Sequence, residues 1–151
     1  MDNKIKNLIQ NIDNLDLRLN WDEYFITIAS LVARRSSCHR LNVGCVLVKN
    51  NRIISTGYNG HLPNSIHRSI VRDNHEQLTI HAEMNSLLDC SKRSVSSEES
   101  IAYITHFPCL NCFKSLVTAG IKKIYYLNDY KNDNIVYELC QELSIEIVKL
   151  K

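Results

Sequence analysis

Apolar residues recur at helical spacing from the beginning of the chain. Ile5, Leu8, Ile9 and Ile12 mark an amphipathic helix within the first sixteen residues. Asn20 is placed to cap a second helix, whose apolar side carries Trp21, Tyr24, Phe25, Ile28, Leu31 and Val32. The pattern then shortens. Val43 to Lys49 reads as a strand, Asn50-Asn51 as a tight turn and Arg52 to Gly57 as the returning strand. Residues 58 to 79 are polar and irregular, long enough for a functional loop. His81 opens a helix through Cys90, Ser94 to Ser100 reads as a surface loop, and Ile101 to Thr105 as a strand. Pro108 falls in the first turn of a helix running to about Ala119, with Gly120 at its C-terminal cap. A strand at Lys122 to Leu127, a helix at Asp133 to Leu143 and a strand at Ile145 to Leu150 complete the order α-α-β-β-α-β-α-β-α-β. Helices between the later strands predict an α/β fold: a mixed sheet with helices on both faces.

At 151 residues and 44% apolar composition, one domain with a full core is expected. Apolar runs such as Val43 to Val48 are too short to span a bilayer, and MDNKIKNLIQNIDNLD lacks the apolar stretch of a secretory signal. The expected location is cytoplasmic or a similarly reducing compartment, the cytosol of a host cell if the source is viral. The net charge of +2 hides an asymmetry: no Asp or Glu lies between Tyr24 and Arg72, where Arg34, Arg35, Arg40, Lys49, Arg52, Arg68 and Arg72 accumulate. Such a surplus attracts an anion or forms a solvated basic face. It is too small overall to argue for duplex DNA. Without a signal peptide, the six cysteines point to metal or catalytic use rather than a disulfide framework, with Cys45 and Cys140 in apolar, core-like patterns.

The chemistry concentrates in His81-Ala82-Glu83 and Pro108-Cys109-Leu110-Asn111-Cys112, an H-x-E and P-C-x-x-C pairing that is the signature of zinc nucleobase deaminases. Cys109 and Cys112 stand at a helix start, where the dipole favours thiolates and both sulfurs can face one point. His81 adds an imidazole. Three protein ligands leave a fourth tetrahedral position for water, the arrangement of a catalytic rather than a closed structural zinc. Glu83, two residues beyond His81, is placed as a proton shuttle. A backbone N–H near Ala82 would hold the pyrimidine O2. The competing structural reading, a four-ligand zinc knuckle, needs a second paired motif that the chain lacks, and a redox pair lacks its thioredoxin-like context.

With those motifs in place, the chain resembles the deoxycytidylate (dCMP) deaminases of the cytidine deaminase superfamily over about residues 20 to 149. The resemblance rests on WDEYF, RRSSCHRLNVGCVLV, STGYNG, IHAEMNSLL, YITHFPCLNCFKSL and AGIKKIYYLNDY. It implies a cytidine deaminase-like three-layer αβα sandwich with a five-stranded mixed sheet, over 20–151, preceded by a helical arm at 1–19. It implies hydrolysis of dCMP to dUMP and ammonia in the supply of thymidylate, one catalytic zinc held by His81, Cys109 and Cys112, and Glu83 as the catalytic acid and base. It further implies substrate contacts from Asn59, Ala82 and Tyr130, phosphate contacts from Arg35 and Arg34, with Arg68 and Arg72 as weaker anion candidates, a homo-oligomer, favoured as a hexamer, and Mg2+-dCTP or dTTP as effectors. Some members hold a second zinc. Here Cys38, His67 and His75 are the matching candidates, but Arg68 stands where a cysteine is expected, and three ligands make a poor closed site, so no second zinc is expected. The expected partner is a small nucleotide, with neither nucleic acid nor membrane.

Two other functions compete. A polynucleotide deaminase would need a basic channel and stacking aromatics, against an aromatic content of 7%. A catalytically silent nucleotide-binding regulator would not need Glu83.

Overall fold

The computed structural model describes residues 1–151. In chain order it runs α1 (Asn3–Asp13), α2 (Trp21–Val32), a 3-10 turn (Ala33–Arg35), β1 (Gly44–Lys49), β2 (Arg52–Tyr58), β3 (Gly60–His61), β4 (Val71–Arg72), β5 (His75–Glu76), β6 (Thr79–Ile80), α3 (Ala82–Lys92), β7 (Ile101–His106), α4 (Leu110–Thr118), β8 (Lys123–Asn128), α5 (Asn134–Leu143) and β9 (Glu146–Lys149). Five of these strands form one sheet in the order β2-β1-β7-β8-β9. The pairs β1–β2 and β1–β7 are antiparallel, while β7–β8 and β8–β9 are parallel, each parallel step crossing over through a helix. This is the mixed, helix-covered cytidine deaminase-like sheet the resemblance implies.

Strand alternation divides the core in two. Cys45 and Leu47 of β1, Ala102 and Ile104 of β7, and Ile124 and Tyr126 of β8 point to the side covered by α3, α4 and α5. Val46, Val48 and Tyr103 point to the opposite side, against Phe25, Ile26 and Ala29 of α2. The β1–β2 hairpin closes through Asn50 and Asn51, at φ 50° and 56°, the left-handed conformation that a two-residue turn requires.

A capping box starts α2. Asn20 N–H donates to Glu23 Oε2 at 2.8 Å and Glu23 N–H donates to Asn20 Oδ1 at 2.9 Å. The buried face of this helix differs from the expected apolar side: Phe25, Ile26 and Ala29 are buried, whereas Trp21, Tyr24 and Leu31 are exposed. The physical reason is close backbone approach. A Cβ at Gly44 would lie 2.1 Å from Ala29 O, so the helix backbone meets β1 closely at Ala29, and the buried face is the one that Ala29 shares with Phe25 and Ile26. Gly57 serves the opposite layer: a Cβ there would meet Ala82 O at 2.3 Å and Ser86 N at 2.5 Å. Strand β2 therefore lies directly under the first turn of α3.

The polar segment 58–79 carries more order than its irregular pattern suggests. Its two short ladders, β3 with β6 and β4 with β5, form where side-chain alternation is too brief to register in the sequence. Helix α4 begins at Leu110 with Cys109 as its N-cap, so Pro108 precedes the helix instead of lying in its first turn. No helix is long and apolar enough to cross a membrane.

Candidate metal and catalytic site

Two helix starts meet at one point. His81 is the N-cap residue of α3 and Cys109 is the N-cap residue of α4, both extended in backbone and neither capping with its side chain. Their side chains are thereby free for another partner. His81 Nδ1 stands 3.6 Å from Cys109 Sγ and 3.4 Å from Cys112 Sγ, and the three ligand atoms all lie within 4.8 Å of one another. A tetrahedral zinc with bonds of about 2.3 Å to sulfur and about 2.05 Å to nitrogen would separate such donors by about 3.5 Å. The donor chemistry and its spacing both fit that ion. The positive ends of two helix dipoles converge on it and favour thiolate ligands.

The electrostatics of the free side chains agree. Hydrogen bonding from Cys112, and then from His81, takes Cys109 down to about 4. Cys112, set against that thiolate and buried, is pushed up. His81 is raised, first by its bond with Cys109. A bound cation would draw both sulfurs into the ionised form. Glu83 lies in the first turn of α3, only 4% exposed, and burial raises its carboxyl above the ordinary range. A carboxyl poised toward its protonated form, beside a cluster of metal donors, is suited to passing protons.

His81, Glu83 and Cys109 form the floor of a cleft of about 570 Å³, with Cys112 buried beside them. Ala82, fully buried, lines it, and as the first residue of α3 its amide is one that no helical turn satisfies. Asn59 also lines the cleft, and its side chain is mostly engaged: Oδ1 accepts from Val43 N–H at 2.8 Å and from Ser36 Oγ at 2.7 Å, while Nδ2 donates to Leu41 O at 2.7 Å. One amide hydrogen is left for a ligand. Tyr130 stands at the rim, edge-on to His106 with centroids 6.0 Å apart.

The residues expected to contact phosphate lie apart from the cleft. Arg34 and Arg35 lie exposed on the 3-10 turn after α2 and do not line the cleft. Five residues later the chain reaches the opening, where Arg40 lines it and donates from Nη1 to Asn74 O at 3.0 Å. Lys131 stands across the rim, with Nζ 5.6 Å from the Tyr130 ring centroid. Sequence reasoning passed over both: Arg40 was one of seven cations in the acid-free stretch, and Lys131 follows a strand whose pattern gives no warning of the cleft. Arg68 and Arg72 are likewise outside the cleft lining. Cys38 and His75 line the cleft, but His67 stacks on His61 at 4.6 Å instead of joining them.

The outer wall comes from Asn74, His75, Glu76, Gln77 and Thr79. Glu76 holds this segment in shape. Its carboxylate accepts from Ser69 Oγ, from Ile70 N–H at 3.2 Å and from Leu78 N–H at 3.0 Å, and the Ser69 bond leads in lowering it to about 2. A larger groove of about 770 Å³, between Arg18, Trp21, Tyr24 and the β1–β2 turn, contains no acid, histidine or cysteine.

The sequence profile described as the cytidine and deoxycytidylate deaminase zinc-binding region matches residues 19–128. ComE operon protein 2 of Bacillus subtilis is 39% identical over 138 residues, covering 89% of this chain and 73% of that protein. The deoxycytidylate deaminase of Saccharomyces cerevisiae is 35% identical over 141 residues, which cover 87% of this chain but only 45% of the yeast enzyme's length. Among solved structures, the dCMP deaminase of cyanophage S-TIM5, in complex with dCMP and dUMP, superposes with a TM-score of 0.74 at 31% identity, covering 99% of each chain.

Proposed function

Because the chain belongs to the cytidine and deoxycytidylate deaminase family, we propose that it is a zinc-dependent enzyme converting dCMP and water to dUMP and ammonia. The observation that carries this reading is the meeting of His81, Cys109 and Cys112 with a buried Glu83 at the floor of a cleft that has two cations at its mouth.

His81, Cys109 and Cys112 would hold the ion. When bound, it would supply Lewis acidity that makes water a competent nucleophile near neutral pH. The remaining work falls to the chain. Glu83 accepts a proton from the water that attacks C4 and delivers it to N3 of the cytosine ring. It then carries the second proton to the departing amino group, so that ammonia leaves and the carbonyl of uracil remains. Its raised pKa suits both halves of that exchange. The Ala82 N–H, at the α3 start, would donate to the pyrimidine O2. The free Asn59 amide hydrogen would meet the sugar or base, and Tyr130 would close the rim beside His106. Arg40 and Lys131 would receive the 5′-phosphate, Arg40 through the planar fork that suits phosphate oxygens.

The resemblance extends the proposal to a product used in thymidylate synthesis, to Mg2+-dCTP and dTTP as effectors and to a homohexameric assembly. The decisive experiment offers cytosine, deoxycytidine, dCMP and dCTP to the purified protein and follows ammonia and uracil-containing product. Rapid turnover of dCMP, with deoxycytidine poor, is expected. Deamination of a single-stranded oligonucleotide but not of dCMP would replace this reading with the polynucleotide one, and tight dCTP binding with no turnover of any substrate would favour the silent regulator.

A further inference from the structure

Helix α1 lies outside the residues matched by the family profile and buries none of its own. Ile5, Leu8, Ile9 and Ile12 form a stripe along it and remain 45%, 43%, 44% and 51% exposed. A helix of 11 residues standing free in water is marginal, so a stripe of this kind needs something to pack against. We propose that the α1 stripe is a docking surface for the α1 helix of a second copy of this chain, paired antiparallel about a two-fold axis.

The first argument is spacing. The four apolar positions are symmetric about the midpoint between residues 8 and 9. Reversing the helix therefore lays Ile5 against Ile12 and Leu8 against Ile9 of the other copy. That self-matching is what an isologous contact requires. The second argument is charge. Lys6 and Asp13 are seven residues apart and lie on one flank of the stripe. Antiparallel pairing brings Lys6 of one copy within a turn of Asp13 of the other on that flank, twice by symmetry. Parallel pairing would instead set Lys6 beside Lys4 of the other copy. A lipid surface is a poorer occupant. Interfacial helices carry a polar face rich in Lys and Arg, and this helix has only Lys4 and Lys6 and ends on Asp13.

Cysteine cross-linking of the full-length chain reads the contact directly, whatever other contacts hold the assembly. Because α1 buries no residue, substitutions in it leave the domain intact, and turnover of dCMP serves as the check on folding. Under mild oxidation Leu8→Cys, close to the proposed two-fold axis, should give a covalent dimer well above the level of the parent chain. Ile5→Cys alone should not, since its two copies would lie about 10 Å apart along the axis. Mixing Ile5→Cys chains with Ile12→Cys chains should restore cross-linking. In the Leu8→Cys background, Lys6→Glu should lower the yield several-fold, and adding Asp13→Lys should recover it. Efficient self-cross-linking of Ile5→Cys would overturn the antiparallel arrangement. Leu8→Cys no better than the parent would overturn the pairing itself, as would phosphatidylserine-containing vesicles capturing the chain through Ile9 while no cross-link forms.

Discussion

The floor of the cleft and its outer wall are built in different ways. The floor consists of two helix starts pressed onto a sheet. Glu83 and Cys112 are 4% and 2% exposed there, and α3 is tied down by Ser55, whose hydroxyl donates to Ser86 O at 2.8 Å and to Asp89 Oδ2 at 2.7 Å. The outer wall is a polar segment with two-residue ladders, tied by the Glu76 carboxylate and by Arg40 reaching Asn74 O. Proton transfer and metal binding, the roles proposed for the floor, tolerate little positional error, and the floor is where packing over-determines the backbone. Recognition of a ligand's outer groups is left to chain that is lightly held.

That contrast is tested from its strong side first. Glu83→Gln should reduce turnover by about 10²-fold or more while metal analysis still finds one zinc per chain, because the amide removes the proton carrier and leaves the ligands in place. Dialysis against a chelator should abolish activity and zinc addition should restore it. If the floor is preorganised by packing rather than by the ion, the far-ultraviolet circular dichroism of the metal-free protein should be nearly unchanged. On the recognition side, Arg40→Ala should raise KM for dCMP by about tenfold or more, the scale of a lost charge-assisted hydrogen bond, with a smaller change in kcat. Arg34→Ala and Arg35→Ala should stay within about twofold. A smaller effect than that of Arg40→Ala is expected from Glu76→Gln, a few-fold rise in KM from a loosened wall. The carboxylate's folded-state pKa is lowered, so its contribution to stability is present above the ordinary carboxyl range near pH 4.5 and fades as pH falls toward about 2. The stability difference between Glu76→Gln and the parent should therefore be full at pH 6 and shrink through that window.

The same contrast explains what the chain makes legible. His81, Glu83, Cys109 and Cys112 are dictated by short spacings at helix starts, and helix starts are marked in sequence by Pro108, by the end of a polar run and by the onset of apolar period. The sheet follows from alternating residues such as those of β1 and β7, whose two faces are both buried. Arg40 and Lys131 carry no such mark, because a loop cation reaches the cleft only through the path of the backbone around it. The inner face of α2 was misread for a related reason. Apolar bulk ranks Trp21 and Tyr24 above Ala29, but the close approach at Gly44 sets Ala29 against the sheet.

Gly57 lies in β2, yet its missing side chain sets the height at which the first turn of α3 rests. A methyl group there would act as a shim, lifting Ala82 and with it the imidazole one residue earlier, while the sulfurs on α4 stayed where they are. On the proposed function, ion affinity would thus be adjustable from a strand that never touches the ion, and a substitution at position 57 would register as loose metal well before it registered as a loose fold.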